Sequence, residues 1–262
     1  MTGERMKAMA IVLAAGEGKR MQSDLPKVLH EAAGEPLLGH VGRAARESGV
    51  DRIVVVIGKG ADLVRERFAD AQWEFVVQAE RRGTADAVIQ AQDALQGFEG
   101  DVLVLAGDVP LLRGSTLQTL RDRHREAHAA VTVLTAKLPD PTGYGRIVRS
   151  HESGLFQGIV EHKDATEEQR GIDEVNSSIY CFEASALRDV LPKIGNDNAQ
   201  GEFYLTDSVS ILRDEGQRVL AVSAATPDEI KGVNDRDQLA EVEALLLARR
   251  RESGTHRAGE AR

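Results

Sequence analysis

Leu13–Met21 reads LAAGEGKRM and follows directly on Met9–Leu13, a short apolar run with β-branched members. Such a run fits a strand buried in a parallel sheet. Gly16 and Gly18 permit backbone paths and close approaches that a side chain would block. Backbone N–H groups exposed on a loop of this kind form a concavity for anions. Lys19 and Arg20 put two positive charges in the same turn, and Lys27 adds a third a few residues on. A Rossmann dinucleotide loop would place glycine at position 21, which is Met. A P-loop would follow Gly18–Lys19 with Ser or Thr, and Arg20 stands there. A plain strand–turn connection with solvated charges is the third reading, and spacing alone leaves all three open.

Outward from the loop, strands and helices alternate. Arg52–Ile57 (RIVVVI), Glu74–Gln78, Asp101–Leu105 and Ala130–Ala136 read as strands. Leu37–Glu47, with Pro36 before it, Ala61–Phe68, Thr84–Leu95 and Thr116–His128 read as helices. This alternation predicts an α/β fold with a doubly wound, mostly parallel sheet. From Pro139 to Ile179 short alternating runs with glycine turns, Arg146–Arg149 and Phe156–Val160, predict antiparallel hairpins beside or over that sheet. Asn176–Phe182 and Val219–Val222 read as further strands, and Ser185–Leu191 and Tyr204–Asp214 as helices. Asp235–Arg251 predicts a helix whose apolar positions Leu239, Val242, Leu245 and Leu246 share one face. Glu252–Arg262 reads as a polar, unstructured tail.

Composition narrows the function. With 262 residues, 42% hydrophobic and 4% aromatic, the chain is long enough for one large α/β domain. A formal net charge of −9 argues against a nucleic-acid surface, so positive charge for an anionic ligand must be local. The single cysteine, Cys181, forms no internal disulfide or cysteine metal cage, which suits a reduced, cytoplasmic setting. Residues 1–7 carry no signal-peptide core, and no apolar run reaches the roughly 20 residues of a membrane span.

Three more residue groups draw attention on their chemistry. Asp108 follows VLVLAG at the carboxyl edge of a strand, where ligands of open α/β sheets collect. Gln78 ends a strand, and its amide offers both a donor and an acceptor to a ligand. Thr84 opens a helix and suits its N-cap.

Ala10–Val41, AIVLAAGEGKRMQSDLPKVLHEAAGEPLLGHV, resembles the opening of the bacterial N-acetylglucosamine-1-phosphate uridylyltransferases. The likeness continues in order through QAERRGTADAV (78–88), LAGDVPLL (105–112), DPTGYGRIVR (140–149), GIVEHKDAT (158–166), NAQGEFYLTD (198–207) and GVNDR (232–236). It covers about residues 8–250. The resemblance implies a Rossmann-like nucleotidyltransferase fold over residues 8–234, with an antiparallel sugar-binding insertion and a helix and polar tail over 235–262. It implies UTP and N-acetylglucosamine 1-phosphate as substrates, UDP-N-acetylglucosamine and pyrophosphate as products, and a place in cell-wall (peptidoglycan) precursor synthesis. By the same resemblance Leu13, Ala14, Ala15, Gly16, Gly18 and Gly107 line the nucleotide, and Gln78, Gly83 and Thr84 recognise uridine. Arg20 meets the leaving phosphates and Lys27 the α-phosphate. Gly145, Glu161 and Asn176 fall to the sugar, and Asp108 and Asn234 to Mg²⁺. Such a reaction needs no protein nucleophile, and His162 is not required as a base.

Ala106 departs from some relatives, which carry an aromatic residue there. These enzymes are commonly fused to an acetyltransferase of hexapeptide repeats, and nothing after Arg236 shows such a repeat. The sequence therefore predicts a monofunctional enzyme that is a monomer or weak oligomer, without nucleic-acid or membrane partners. The alternatives are a pyrophosphorylase for another sugar 1-phosphate, such as glucose 1-phosphate, and a non-catalytic nucleotide-sugar sensor.

Overall fold

A computed structural model describes residues 7–259; Met1–Met6 and Glu260–Arg262 lie outside the described residues, with the ends of the predicted leaderless start and polar tail. The first half alternates as the sequence predicts. Strand β1 (Ala8–Ala14) leads through a hairpin, β2 (Glu31–Ala32) and β3 (Glu35–Pro36), into helix α1 (Leu37–Glu47). Strand β4 (Arg52–Ile57), helix α2 (Ala61–Arg67) and strand β5 (Glu74–Val77) follow. The predicted helix 84–95 is two pieces, α3 (Thr84–Ile89) and α4 (Gln92–Leu95). The break falls where the Ala91 N–H bonds the Val88 carbonyl, a three-residue step that interrupts the α ladder. Strand β6 (Asp101–Ala106), helix α5 (Gly114–Glu126) and strand β7 (Val131–Lys137) complete this half.

In the second half β8 (Arg146–Arg149) and β9 (Phe156–Val160) form the expected antiparallel hairpin. A short helix, α6 (Glu167–Arg170), was not foreseen, although Thr166 and Gln169 cap it reciprocally in a capping box. Strand β10 (Glu174–Glu183), helices α7 (Ala184–Val190) and α8 (Asp207–Asp214), strand β11 (Val219–Ser223) and helix α9 (Arg236–Gly259) follow. The last helix runs past Arg251, so Glu252–Gly259 is helical where a tail was expected.

The central sheet has the order β11-β7-β10-β6-β1-β4-β5, with β8 and β9 branching from β10. Its neighbours pair in parallel except around β10, which runs antiparallel to both β6 and β7. The fold is thus the predicted mixed, mostly parallel α/β sheet. Both faces are covered, because alternate side chains of each inner strand point to opposite cores. Met9 and Ile11 join Val54, Val56, Val102 and Val104 on one face, under α3, α4, α7 and α8. Ala10 and Val12 join Val55, Ile57, Leu103 and Leu105 on the other, under α1 and α5. A third cluster seats Val242 and Leu246 of α9 on Met21, Leu37, Leu111 and Val233. Leu239 and Leu245 pack at its margin, as their spacing predicts. Among the described residues no helix is long and apolar enough to cross a membrane.

Candidate active site

The carboxyl ends of β1 and β6 open side by side, and two cavities meet there. The first, of about 320 Å³, is walled by Leu13 and Ala14 at the end of β1 and by Ala15 and Gly16 of the loop that follows. Gln78, Gly83 and Thr84 close its far side, and Lys27 and Asp108 stand at its inner end. The second, of about 270 Å³, holds Arg20, Gly145, Glu161, Asn176 and Asn234. Ala106, Asp108 and Ser178 belong to both.

Glycine is required at specific points of this lining. Gly18 has φ +62°, and a Cβ there would lie 2.6 Å from Lys27 Cβ. The Lys27 stem therefore packs directly on the turn, and its ammonium reaches inward. Gly107 touches the loop from the β6 side, donating its N–H to the Leu13 carbonyl at 2.9 Å. Neither Gly18 nor Gly107 is a wall of either cavity; both hold walls in place.

The Lys27 ammonium donates to the Asp108 carboxylate and, at 3.1 Å, to Asn234 Oδ1. Asn234 arrives there because the Val233 N–H bonds the Asp108 carbonyl at 2.9 Å, strapping the segment before α9 to the end of β6. The two oxygens assigned to a metal thus converge on one cationic group. Arg20 stands on the second cavity's wall, exposed to solvent, close to this junction.

At the far end of the first cavity Gln78 is 5% exposed. Its Nε2 donates to the Gly83 carbonyl at 3.2 Å and to Asp86 Oδ2 at 2.7 Å. Gly83 has φ +120°, and a Cβ there would collide with the Phe203 backbone. Thr84 differs from the predicted N-cap: Gly83 holds that position, and the Thr84 hydroxyl accepts the Leu205 N–H at 2.9 Å. The reason is that the 203–205 segment crosses the helix start and takes up the hydroxyl.

In the second cavity Asn176 is nearly buried, and its amide is engaged by the protein itself. Nδ2 donates to Tyr180 Oη at 2.8 Å, and Oδ1 accepts the Ser178 N–H at 3.0 Å. These bonds hold a register shift in β10, with Ser178 at φ +60° in the middle of it. Gly145 abuts Glu161: a Cβ on it would lie 3.3 Å from Glu161 Oε1. Burial raises the Glu161 carboxyl above its ordinary value, and Asp207, Asp164 and Glu202 push it further the same way. His162 lies against the Arg146 guanidinium, at 3.3 Å, and walls neither cavity.

Sequence reasoning missed Arg81, Glu202 and Ser178 among the walls, and Thr142, Tyr144 and Gln238 beside them. Arg81 pairs with Glu17 at 2.9 Å and so ties the Gly-rich loop to the segment after β5. Arg81, Glu202 and Tyr144 fall within the strings that carried the resemblance, a signal that was present. Ser178 had none, because its position depends on the register shift.

A profile of the MobA-like NTP transferase domain matches residues 10–172. The chain is 52% identical over 233 residues to the bifunctional protein GlmU of Geobacter metallireducens, which covers 88% of this chain and 49% of that protein. The GlmU of Trichlorobacter lovleyi is 53% identical over 241 residues, covering 92% of this chain and 52% of its own length. The chain thus spans about half the length of the curated relatives it matches. A Bacillus anthracis structure described as a glucose-1-phosphate thymidylyltransferase in complex with sucrose aligns with a TM-score of 0.75. It is 17% identical and covers 91% of this chain and 94% of its own, a likeness of fold alone. With a strand-end loop that cradles one end of the paired cavities and a match over more than half its length, the chain belongs to the MobA-like NTP transferase domain family.

Proposed function

We propose that this chain transfers UMP from UTP to N-acetylglucosamine 1-phosphate, giving UDP-N-acetylglucosamine and pyrophosphate. The observation that carries this reading is the meeting of two cavities at Asp108, beside the Lys27 ammonium, one suited to a nucleotide and one to a sugar. UTP lies in the first, with its base toward Gln78, Gly83 and Thr84 and its phosphates toward Lys27. The sugar phosphate lies in the second, its hydroxyls toward Glu161 and its phosphate toward the junction. GlmU relatives at about half identity support the choice of substrates.

A phosphate oxygen of the sugar attacks the α-phosphorus of UTP, and a new P–O bond forms. The bond from the α-phosphorus to the bridging oxygen breaks, and its electron pair leaves on pyrophosphate. The attacking oxygen is already ionised, so no side chain must take a proton. What the protein supplies is alignment of two polyanions and local positive charge. Lys27 and Arg20 provide that charge within an otherwise acidic chain.

The family's divalent ion fits the donor set at the junction. Asp108 and Asn234 offer hard oxygen donors that already face one cation, the Lys27 ammonium. Mg²⁺ takes few protein oxygens and completes its shell with water and phosphates. These two residues would hold it, and when bound it would neutralise phosphate charge.

The test is pyrophosphate release over a panel of sugar 1-phosphates and nucleoside triphosphates, with and without a chelator. UTP with N-acetylglucosamine 1-phosphate should be the preferred pair, and a preference for glucose 1-phosphate would overturn the sugar assignment.

A further inference from the structure

The nucleotide cavity contains a polar contact that the proposed reaction does not itself require. Asp86, half-buried on α3, accepts a hydrogen bond from the Gln78 side chain. A primary amide is ambiguous: turned one way it offers an acceptor to a ligand, turned the other way two donors. A carboxylate is not ambiguous, since when ionised it only accepts. The same is true of a backbone carbonyl. Gln78 faces one of each, Asp86 Oδ2 at 2.7 Å and the Gly83 carbonyl at 3.2 Å. Both hydrogens of its NH₂ are thereby consumed, and turning the amide over would set Oε1 against two acceptors. Among the described residues no donor reaches Oε1. Gln78 is a wall of the cavity, so this oxygen is the group it has left for a ligand.

We infer that Asp86 is a positioning residue that locks the Gln78 amide as an acceptor, and that this lock makes the cavity select uracil over cytosine. The inference rests on the proposed use of UTP and deepens it. Uracil presents a donor, N3–H, where cytosine presents the N3 lone pair. An acceptor fixed at that edge forms a hydrogen bond with the first and opposes the second. A site that commits buried polar groups in this way rejects the wrong partner strongly, because the mismatch leaves those groups unpaired. A freely turning glutamine would serve both bases.

The near-isosteric variant Asp86→Asn tests the lock, because asparagine can present NH₂ to Gln78 and let the amide turn over. The ratio of kcat/KM for UTP to that for CTP should fall at least tenfold. The fall should come from a higher KM for UTP and a gain for CTP, with Tm near that of the wild type. Asp86→Glu keeps an acceptor on the same side and should retain most of the preference. A purely structural role would lower both nucleotides together along with Tm, leaving the ratio unchanged, and that outcome overturns the inference. So does equal loss of selectivity in Asp86→Glu and Asp86→Asn. A wild type that turns over UTP no better than CTP overturns the uridylyl reading as well, so the two failures are told apart by the wild-type ratio.

Discussion

Lys27 and Asp108 lie 81 residues apart in sequence, yet the lysine ammonium bonds the carboxylate directly at the point where the two cavities join. Asn234 completes the arrangement from the far end of the chain. A lysine there neutralises Asp108 before any substrate arrives, and a divalent ion entering the same oxygens must share or displace it. Lys27→Met should therefore bind Mg²⁺ more tightly than the wild type when no nucleotide is present, as titration calorimetry would read. Turnover should nevertheless fall about 10²–10³-fold, the usual cost of losing one preorganised charge. Unchanged metal affinity in the variant would mean that the ammonium and the ion use different places.

The turn beneath that lysine is equally exposed to test. Gly18→Ala puts a methyl group 2.6 Å from Lys27 Cβ on a backbone with φ +62°. The left-handed conformation costs an alanine roughly 1–2 kcal/mol, and the Lys27 stem must move. A displacement of about 1 Å at such a site costs up to ~100-fold in rate. Steady-state kinetics should show the loss chiefly in kcat, with Tm lowered by a few degrees. Wild-type kcat in a folded Gly18→Ala protein would separate the turn from the chemistry.

Glu161 gives the protein a pH dependence of known sign. Burial raises its carboxyl above the ordinary value of 4.5. The folded state therefore holds this proton more tightly than the unfolded one, and the contribution to stability is favourable at low pH. It is lost as pH rises from 4.5 through the raised value. Above that range the folded chain carries a half-buried charge at a cost. Glu161→Gln should remove this part of the profile and raise Tm at neutral pH. The measurement is Tm against pH for both proteins. A difference curve that is flat from pH 4.5 upward would contradict the burial argument.

Ser178 sits at φ +60°, a conformation that glycine adopts without strain. Ser178→Gly should stabilise the fold by up to about 1 kcal/mol, and a β-branched Ser178→Val should destabilise it by more. Denaturant melts at equal slope would read both. A neutral or unfavourable Ser178→Gly would mean that the serine side chain makes good the strain.

The alternating apolar runs of β1, β4 and β6 were legible because each inner strand is buried on both faces and bounded by turn residues. The hairpin β8–β9 was legible for a different local reason, short alternating runs bounded by glycine turns on strands buried only in part. What escaped was set by distant contacts. Thr84 looked like an N-cap until the 203–205 segment, more than a hundred residues away, claimed its hydroxyl. The α3–α4 break carries no glycine or proline to mark it, and α9 runs on through Gly254, a residue that reads as a helix breaker. Around the cavities Asp108 and Asn234 converge on Lys27, whereas Gly18 and Gly107 wall neither cavity. Nothing local could reveal that Asn176 would spend its amide on Tyr180 and Ser178, because that depends on a shift in strand register.

Strand β10 inserts between β6 and β7, although both precede it in the chain. On a ribosome, the sheet cannot close in the order in which it is made. The strands β6, β1, β4 and β5 can pair as soon as Ala106 has emerged, but the outer edge of β6 stays open until Glu183 follows. At ~5–20 residues per second the interval is roughly 4–15 s. During that time β7, with Val131, Val133 and Leu134 destined for the core, has neither of its neighbours. An open edge beside an unpaired apolar strand is a template for joining another chain. The nascent protein is thus most prone to aggregate between the emergence of Ala106 and that of Glu183, and holdase chaperones should engage it in that window.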